Sequence, residues 1–279
     1  MRQLLDMKDI KLAILDLYNG EPNQGMRCII DLVESYQNEL SYDIFDIRQH
    51  AEIPSIAEYD IYIASGGPGS PLEGNGVWEE ALYRWMDQIW AHNQIPGADK
   101  KYVFFICHSF QMACNHFELG TVNRRKSKSF GTFPVHLTDT GIQDPIFKGL
   151  PNPFTAADFR DFQLVQPNME AIEDMGAEIL ALEKIRPHVP LERAIMAIRF
   201  SPEMIGVQFH PEADAPGMLQ HFQAEPRMLH VLNNYGKKKY AQMIKDLSHP
   251  EKIQLTHDTV IPRFIEQSIR AIKKQGVPV

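Results

Sequence analysis

Three side chains that follow apolar segments of the chain could together carry out nucleophilic catalysis. Cys107 comes directly after the apolar run Tyr102–Ile106, and His210 and Glu212 come at the end of the apolar run Met204–Phe209. The proline between the last two favours extended backbone, in which residues i and i+2 point the same way. The carboxylate can therefore reach one imidazole nitrogen and leave the other for a thiol. This pattern predicts a Cys–His–carboxylate site.

Each of the three residues also has an ordinary structural explanation when it is considered alone. A cysteine after a strand is most often a small buried side chain, and a histidine beside a glutamate is often a solvated pair. The position of Cys107 also suits chemistry, because active sites of open α/β folds lie at the carboxyl edge of the sheet. A helix that begins there favours the thiolate. On position alone, the structural explanation is favoured for each of these residues.

A glycine-rich segment, Ser65–Pro71, follows a third apolar run. Glycines in a tight turn after a strand expose backbone N–H groups, which can bind a phosphate or an oxyanion. A phosphate-binding loop requires Gly-Lys-Ser/Thr, and a dinucleotide fingerprint requires G-x-G-x-x-G; neither pattern is present. The segment therefore indicates an oxyanion hole, with a plain loop as the alternative.

These segments belong to an alternation of short apolar and longer amphipathic stretches, which is typical of a sheet covered by helices. We predict an α/β fold with a mostly parallel sheet flanked by helices. Predicted strands are Lys11–Tyr18, Tyr42–Ile47, Tyr59–Ala64, Tyr102–Ile106, Phe133–Leu137, Ile179–Leu182, Ala194–Ile198 and Met204–Phe209. Predicted helices of this part are 25–40, Val77–Trp90 and His108–Phe117. A loop-rich stretch is expected at Thr138–Pro167, which contains Pro145, Pro151 and Pro153.

The composition changes after Pro216, where Lys-rich amphipathic segments begin. We predict helices at Gly217–Phe222, Met228–Leu247 and Thr259–Lys274, and two parts of the chain: an α/β domain at residues 1–222 and a helical extension at residues 223–279. The extension could cap the site, form a homodimer interface or bind a partner.

The composition excludes several classes of protein. The chain has 279 residues, of which 44% are hydrophobic and 23% charged, as in globular proteins. With 28 Lys and Arg against 36 Asp and Glu, its net charge of −8 argues against binding to nucleic acid or to an anionic membrane. No segment approaches the ~20 apolar residues of a membrane helix. The N-terminus lacks a signal-peptide core, and three cysteines are too few for a zinc motif or a disulfide framework. A cytoplasmic protein is the expectation.

Three motifs, in this order, resemble those of the class I (triad-type) glutamine amidotransferase domain, such as the glutaminase domain of GMP synthase. They are SGGPG at residues 65–69, CHSFQ at residues 107–111 and GVQFHPE at residues 206–212, of which the last is the most specific. The resemblance covers about residues 11–222 and implies the flavodoxin-like fold of that family.

The resemblance implies a role for each matching residue. Cys107 would attack the amide carbon of the glutamine side chain, forming a γ-glutamyl thioester and releasing ammonia. His210 would take the thiol proton, return it to the leaving amine and then activate water, while Glu212 would orient His210. No metal or organic cofactor is implied.

The resemblance also implies the residues that bind the substrate. The backbone N–H groups of Gly67 and His108 would hold the oxyanion, and Gln111 would help to hold the substrate. The His108 side chain is unusual at this position in the family, and it would either lower the pKa of Cys107 or be an exposed group without a role. The family usually has glycines two residues before and after the nucleophile, where this chain has Phe105 and Ser109.

The leading hypothesis is therefore a glutaminase that acts on L-glutamine or another γ-glutamyl compound. No nucleotide-binding motif for an ammonia acceptor is present in this chain, so the ammonia would pass to an unknown acceptor, such as a separate synthetase subunit. The alternatives are a γ-glutamyl hydrolase, a non-catalytic binding or regulatory descendant, and, with less support, an acyltransferase.

Overall fold

A computed structural model describes residues 9–74, 76–188 and 190–275, in which helices pack on a central sheet. The sheet has nine strands in the order β2–β1–β3–β4–β9–β8–β6–β5–β7. The strands are β1 (Ile10–Asp16), β2 (Leu40–Asp46), β3 (Ile61–Ala64), β4 (Tyr102–Ile106), β5 (Thr121–Leu137), β6 (Phe154–Val165), β7 (Glu178–Glu183), β8 (Ile195–Ser201) and β9 (Met204–Val207).

The sheet is parallel in one half only. Strands β2, β1, β3, β4 and β9 pair in parallel, and every residue of β3, β4 and β9 is buried, as expected for strands covered on both faces. From β9 onward all pairings are antiparallel, and β7 pairs with both β5 and β8, so that β5–β8 close into a barrel-like group. The prediction of a mostly parallel sheet is therefore wrong for the second half.

The largest differences from the predicted elements lie in this antiparallel half. Strand β6 occupies much of the predicted loop at Thr138–Pro167, and β5 begins twelve residues before the predicted strand Phe133–Leu137. The inward side of β6 carries Asp158 and Arg160, which form a buried ion pair at 2.9 Å. Because charged side chains satisfy one another inside the barrel, the strand lacks the apolar pattern by which strands are recognised.

The helices cover both faces of the sheet. One face is covered by α1 and α10, and the other by α3, α4 and α6. The predicted helix 25–40 ends earlier, at Glu34, because tight turns lead from there into β2. The helices are α1 (Gln24–Glu34), α2 (Ile47–His50), α3 (Trp78–Gln94), α4 (His108–His116), α5 (Asp139–Gln143), α6 (Met169–Met175), α7 (Ala215–Gln223), α8 (Glu225–Leu247), α9 (Ile253–His257) and α10 (Val260–Gln275).

The C-terminal helices are not an appended unit in this packing. The ring centres of Phe264 on α10 and Phe104 on β4 are 5.2 Å apart. Helix α10 also shares one apolar cluster with α1 and the parallel strands. Helices α7 and α8 pack on each other, so a boundary at residue 222 would divide them. Among the described helices, none has the length and apolar character that crossing a bilayer requires.

Candidate active site

Cys107 lies at the sharp turn between β4 and α4, at the carboxyl edge of the parallel strands. Its φ of 48° and ψ of −93° fall in a region that non-glycine residues rarely adopt. Its N–H donates to the carbonyl of Val207 on β9 at 2.8 Å, which fixes the turn to the neighbouring strand. A strained residue between a strand and a helix presents its side chain above the sheet, as in a nucleophile elbow.

Phe105 and Ser109, beside the turn, stand where the resemblance predicts glycines, and both fit. Ser109 is fully buried, and its hydroxyl accepts from the N–H of Ile106 at 2.9 Å and donates to the carbonyl of Ala64 at 2.8 Å. Phe105 faces Gly206 on the neighbouring strand, where a Cβ would come within 3.1 Å of the Phe105 Cβ. The same Cβ would lie 2.6 Å from Cδ2 of Phe110, so the glycine at 206 leaves room for Phe105 and, above all, for the ring of Phe110.

His210 and Glu212 follow β9, next to the Cys107 turn. The Nδ1 atom of His210 lies 2.7 Å from Oε1 of Glu212, the contact expected from their i, i+2 spacing in extended chain. The backbone N–H of His210 donates to the backbone carbonyl of Ala157 on β6 at 2.9 Å. Nδ1 of His257 on α9 lies 2.9 Å from the backbone carbonyl oxygen of Glu212. Strand β6 and helix α9 thus hold the pair in place.

The charge of His210 is set by its two neighbours. Burial alone lowers the pKa of His210, but the Glu212 carboxylate and the Cys107 sulfur raise it more, and the pKa of His210 lies well above its ordinary value. The imidazole therefore interacts with the carboxylate on one side and with the sulfur on the other. This arrangement can accept a proton from a thiol and keep it close to the reacting atoms.

His108 has neither of the two predicted side-chain properties. It is only 2% exposed, so it is not a surface group. Burial, with a smaller contribution from the charge of Arg48, lowers the pKa of His108 to about 3. Its imidazole is therefore neutral at ordinary pH and cannot favour a thiolate by its charge.

The glycine loop after β3 reaches the same edge of the sheet. A Cβ on Gly67 would lie 2.5 Å from the carbonyl oxygen of Leu17, and a Cβ on Gly66 would lie 3.0 Å from Cε1 of His210. Only glycine allows the first of these approaches, whereas a Cβ at residue 66 would require the His210 ring to shift slightly. In residues 9–74, 76–188 and 190–275, no oxygen accepts a hydrogen bond from the N–H of Gly67 or His108, so both remain available.

Arg48 supports the glycine loop, and sequence reasoning missed it. Its guanidinium donates to the carbonyls of Pro68 and Leu17 and lies 5.0 Å from the centre of the Trp78 ring. The contact joins α2, the loop and α3, which are distant in sequence. Arg48 stands in no recognisable motif, so the sequence alone gives no signal for this role.

Gln111 lies behind the nucleophile rather than in the cavity. Its amide donates to Oε1 of Gln208 at 3.0 Å and to the carbonyl of Phe162 at 3.2 Å. The Gln208 amide in turn donates to Sγ of Cys107 at 3.6 Å. The structure therefore brings Gln111 to the site through Gln208, and does not place it in the cavity wall.

A cavity of about 380 Å³ opens above Cys107 and His210. Its walls come from the β1–α1 turn and α1, the glycine loop, β5 and β6, and the helices α7 and α8, so the C-terminal helices cap the site. Lining residues that sequence reasoning missed include Tyr18, Asn23, Arg27, Cys28, Phe130, Phe159, Met218, Phe222, Arg227 and Val231. Among the described residues, no group of His, Cys, Asp and Glu side chains could hold a metal ion.

Solved structures with this fold include proteins from three different organisms. A glutamine amidotransferase from Thermotoga maritima has a TM-score of 0.66 and 15% identity, over 93% of this chain and 98% of that one. A glutamine amidotransferase from Methylobacillus flagellatus has a TM-score of 0.62 and 13% identity, over 96% and 95%. The glutaminase domain of Trypanosoma brucei CTPS, with bound acivicin, has a TM-score of 0.51 and 15% identity, over 73% and 86%.

At these identities the structural likeness shows the fold alone. No functionally curated protein matches the chain. The family model of glutamine amidotransferase class-I matches residues 29–222, which is more than half of the chain and includes the Cys107 turn and the His210–Glu212 pair. The protein therefore belongs to the class I glutamine amidotransferase family.

Proposed function

We propose that this amidotransferase hydrolyses the side-chain amide of glutamine or of another γ-glutamyl compound at Cys107. The Cys107 sulfur attacks the amide carbon as His210 takes the thiol proton. The carbon–nitrogen bond then breaks, and the amine leaves with the proton from His210. Water that gives a proton to His210 attacks the resulting γ-glutamyl thioester, which releases glutamate and restores the thiol.

The observation that carries this proposal is the 2.7 Å contact between His210 and Glu212 beside Cys107. The carboxylate fixes which imidazole nitrogen faces the sulfur and stabilises the imidazolium that forms. The available N–H groups of Gly67 and His108 are the proposed oxyanion donors, and one such donor typically contributes about 3 kcal/mol to the transition state. Gln111 would act by holding Gln208 against the nucleophile.

In a glutaminase of this kind the released ammonia would pass to an acceptor on another subunit. The T. brucei neighbour is a glutaminase domain of CTPS, and by analogy we propose a synthetase partner for this chain. A γ-glutamyl hydrolase needs no such partner, because the amine that leaves is simply released to solvent.

The test is glutamate release from L-glutamine and from γ-glutamyl amides by the isolated protein. Cys107→Ala should abolish release, while Cys114→Ala, which changes a fully buried cysteine on α4, serves as the matched control. Release that persists in Cys107→Ala would contradict the proposal. If no γ-glutamyl compound is hydrolysed, and Cys107 does not react with a γ-glutamyl-mimicking alkylating inhibitor, the protein is a non-catalytic member of the family.

A further inference from the structure

The cavity above Cys107 has an apolar side that glutamine as substrate would leave unused. This side is lined by Phe130, Phe159, Phe222, Met218 and Val231. Its volume of about 380 Å³ lies within the ~300–1,000 Å³ typical of sites for drug-sized ligands. When the substrate is glutamine the leaving group is ammonia, which has no apolar surface to bury.

The apolar side lies next to the group that expels the amine. His210 is the proton donor to the leaving nitrogen, so this nitrogen must lie beside the imidazole when the carbon–nitrogen bond breaks. The ring of Phe159 is 6.2 Å from the ring of His210. A substituent on the leaving nitrogen would therefore extend from His210 onto Phe159.

Phe159 is the inner member of a cluster of three rings. Its centre lies 5.1 Å from that of Phe130 and 6.1 Å from that of Phe222, and the last two are 5.9 Å apart. Phe130 and Phe159 come from strands β5 and β6, while Phe222 comes from the capping helix α7. Centroid distances of this size are typical of favourable aromatic contacts, and the rings offer both faces and edges to a further apolar group.

We propose that the substrate of this protein is a γ-glutamyl amide whose leaving amine carries an apolar or aromatic group. The inference rests on the proposed hydrolysis at Cys107 and specifies its substrate class. The γ-glutamyl carbonyl binds at Cys107, and the amine substituent packs against Phe159, Phe130 and Phe222. Bond breaking transfers the proton from His210 to the amine nitrogen, so the free amine leaves and the acyl group stays on Cys107.

The first test compares γ-glutamylphenylalanine with γ-glutamylglycine as substrates of the isolated protein. The two dipeptides share the γ-glutamyl group and the terminal carboxylate and differ only in the aromatic side chain. We expect kcat/KM to be at least about tenfold higher for γ-glutamylphenylalanine, since apolar groups in a fitted pocket give discrimination of that order. Equal values, or a preference for L-glutamine over both, would overturn the inference while leaving hydrolysis at Cys107 intact.

A variant of the capping helix tests the assigned contact. In Phe222→Ala the ratio of the two kcat/KM values should fall toward one, because the outer ring of the cluster is removed. The matched control is Leu229→Ala on α8, whose side chain is 46% exposed and outside the cavity wall; it should keep the wild-type ratio. A ratio that is unchanged in Phe222→Ala would contradict the contact.

A binding measurement separates this inference from the chemistry. The Cys107→Ala protein cannot form a thioester, so calorimetry on it reports binding alone. It should bind γ-glutamylphenylalanine at least about tenfold more tightly than γ-glutamylglycine. Such a preference without turnover of either peptide by the wild type would contradict the proposed hydrolysis but support the binding site. Equal affinity would overturn the substrate class.

Discussion

At the scale of single residues, the environment distinguishes three cysteines that are all buried. Cys107 is 5% exposed, Cys28 is 3% exposed and Cys114 is fully buried, so exposure does not separate the first two. Both Cys107 and Cys28 line the cavity, yet only Cys107 lies beside His210. Burial raises the pKa of Cys28 to about 11 and that of Cys114 well above its ordinary value.

This difference predicts selective alkylation of Cys107. Near neutral pH, a thiol with a pKa of about 11 is a thiolate in only about one molecule in ten thousand. We expect iodoacetamide to label Cys107 at least about tenfold faster than Cys28 or Cys114, measured by mass spectrometry of peptides over time. Cys28 is the internal control for access to the cavity. Equal, slow labelling of all three cysteines would count against an activated nucleophile.

At the scale of elements, the glycine loop positions a proposed oxyanion donor. A Cβ at residue 67 would lie 2.5 Å from a backbone oxygen of Leu17, so Gly67→Ala must move the loop and its N–H group. We expect kcat to fall about 100-fold in Gly67→Ala while the far-UV circular dichroism is retained, because one oxyanion donor typically supplies 100-fold to 1,000-fold. Steady-state kinetics on the best γ-glutamyl substrate provide the measurement.

Gly176→Ala is the matched control for the loop variant. Gly176 ends α6 with a φ of 69°, and a Cβ there would meet no atom within 4 Å. The alanine should cost about 1 kcal/mol of stability through its backbone conformation and leave kcat unchanged. If Gly67→Ala kept the wild-type kcat, the oxyanion donor would have to lie elsewhere.

A second element-scale contact attaches the capping helix α8 to the sheet. Asp246 is buried, accepts from Thr132 on β5 at 2.7 Å and from Gln242 at 2.9 Å, and pairs with Lys252. Burial opposes its charged form, but these contacts outweigh burial and hold the pKa of Asp246 below its ordinary value. The carboxylate therefore stabilises the fold above the unfolded-state pKa, and this contribution is lost as the pH falls through the lower folded-state pKa.

The predicted consequence is a pH-dependent cost of Asp246→Asn. Near neutral pH the variant should lose about 1–3 kcal/mol of unfolding free energy, and the difference from wild type should shrink below about pH 4. Urea denaturation at several pH values measures it. Asp161→Asn removes a half-exposed partner of Lys128 and should cost less than about 0.5 kcal/mol. A pH-independent loss would mean that packing, rather than the charge, holds α8.

The sequence predicted some elements of this fold far better than others, for physical reasons. Strand β4, a fully apolar run, was predicted with the observed bounds, because burial on both faces of the sheet requires apolar side chains throughout. Strand β6 was missed because its buried Asp158 and Arg160 compensate each other. Cys107, His210 and Glu212 could be chosen as candidate residues from short local motifs. The cavity wall could not be predicted in this way, because Phe222 contacts Phe159, which lies 63 residues away in the chain.

At the scale of the whole molecule, helix α10 makes the C-terminal segment part of the fold. The parallel strands require helices on both faces, and α1 alone does not cover the face that it shares with α10. Ile265 on α10 and Ile63 on β3 are both fully buried in that one cluster. If the predicted division at residue 222 is also a boundary between folding units, the loss of α10 would leave the rest of the protein folded.

Urea denaturation of two variants distinguishes these possibilities. If α10 belongs to the core, Ile265→Ala and Ile63→Ala should each cost about 2–5 kcal/mol and shift the same unfolding transition, because each leaves a cavity in one shared cluster. Leu229→Ala, at an exposed position of α8, should change stability by less than about 0.5 kcal/mol. A separate early transition that only Ile265→Ala shifts would make the extension an independent unit. One shared transition would mean that α10 and the parallel strands fold together as one unit.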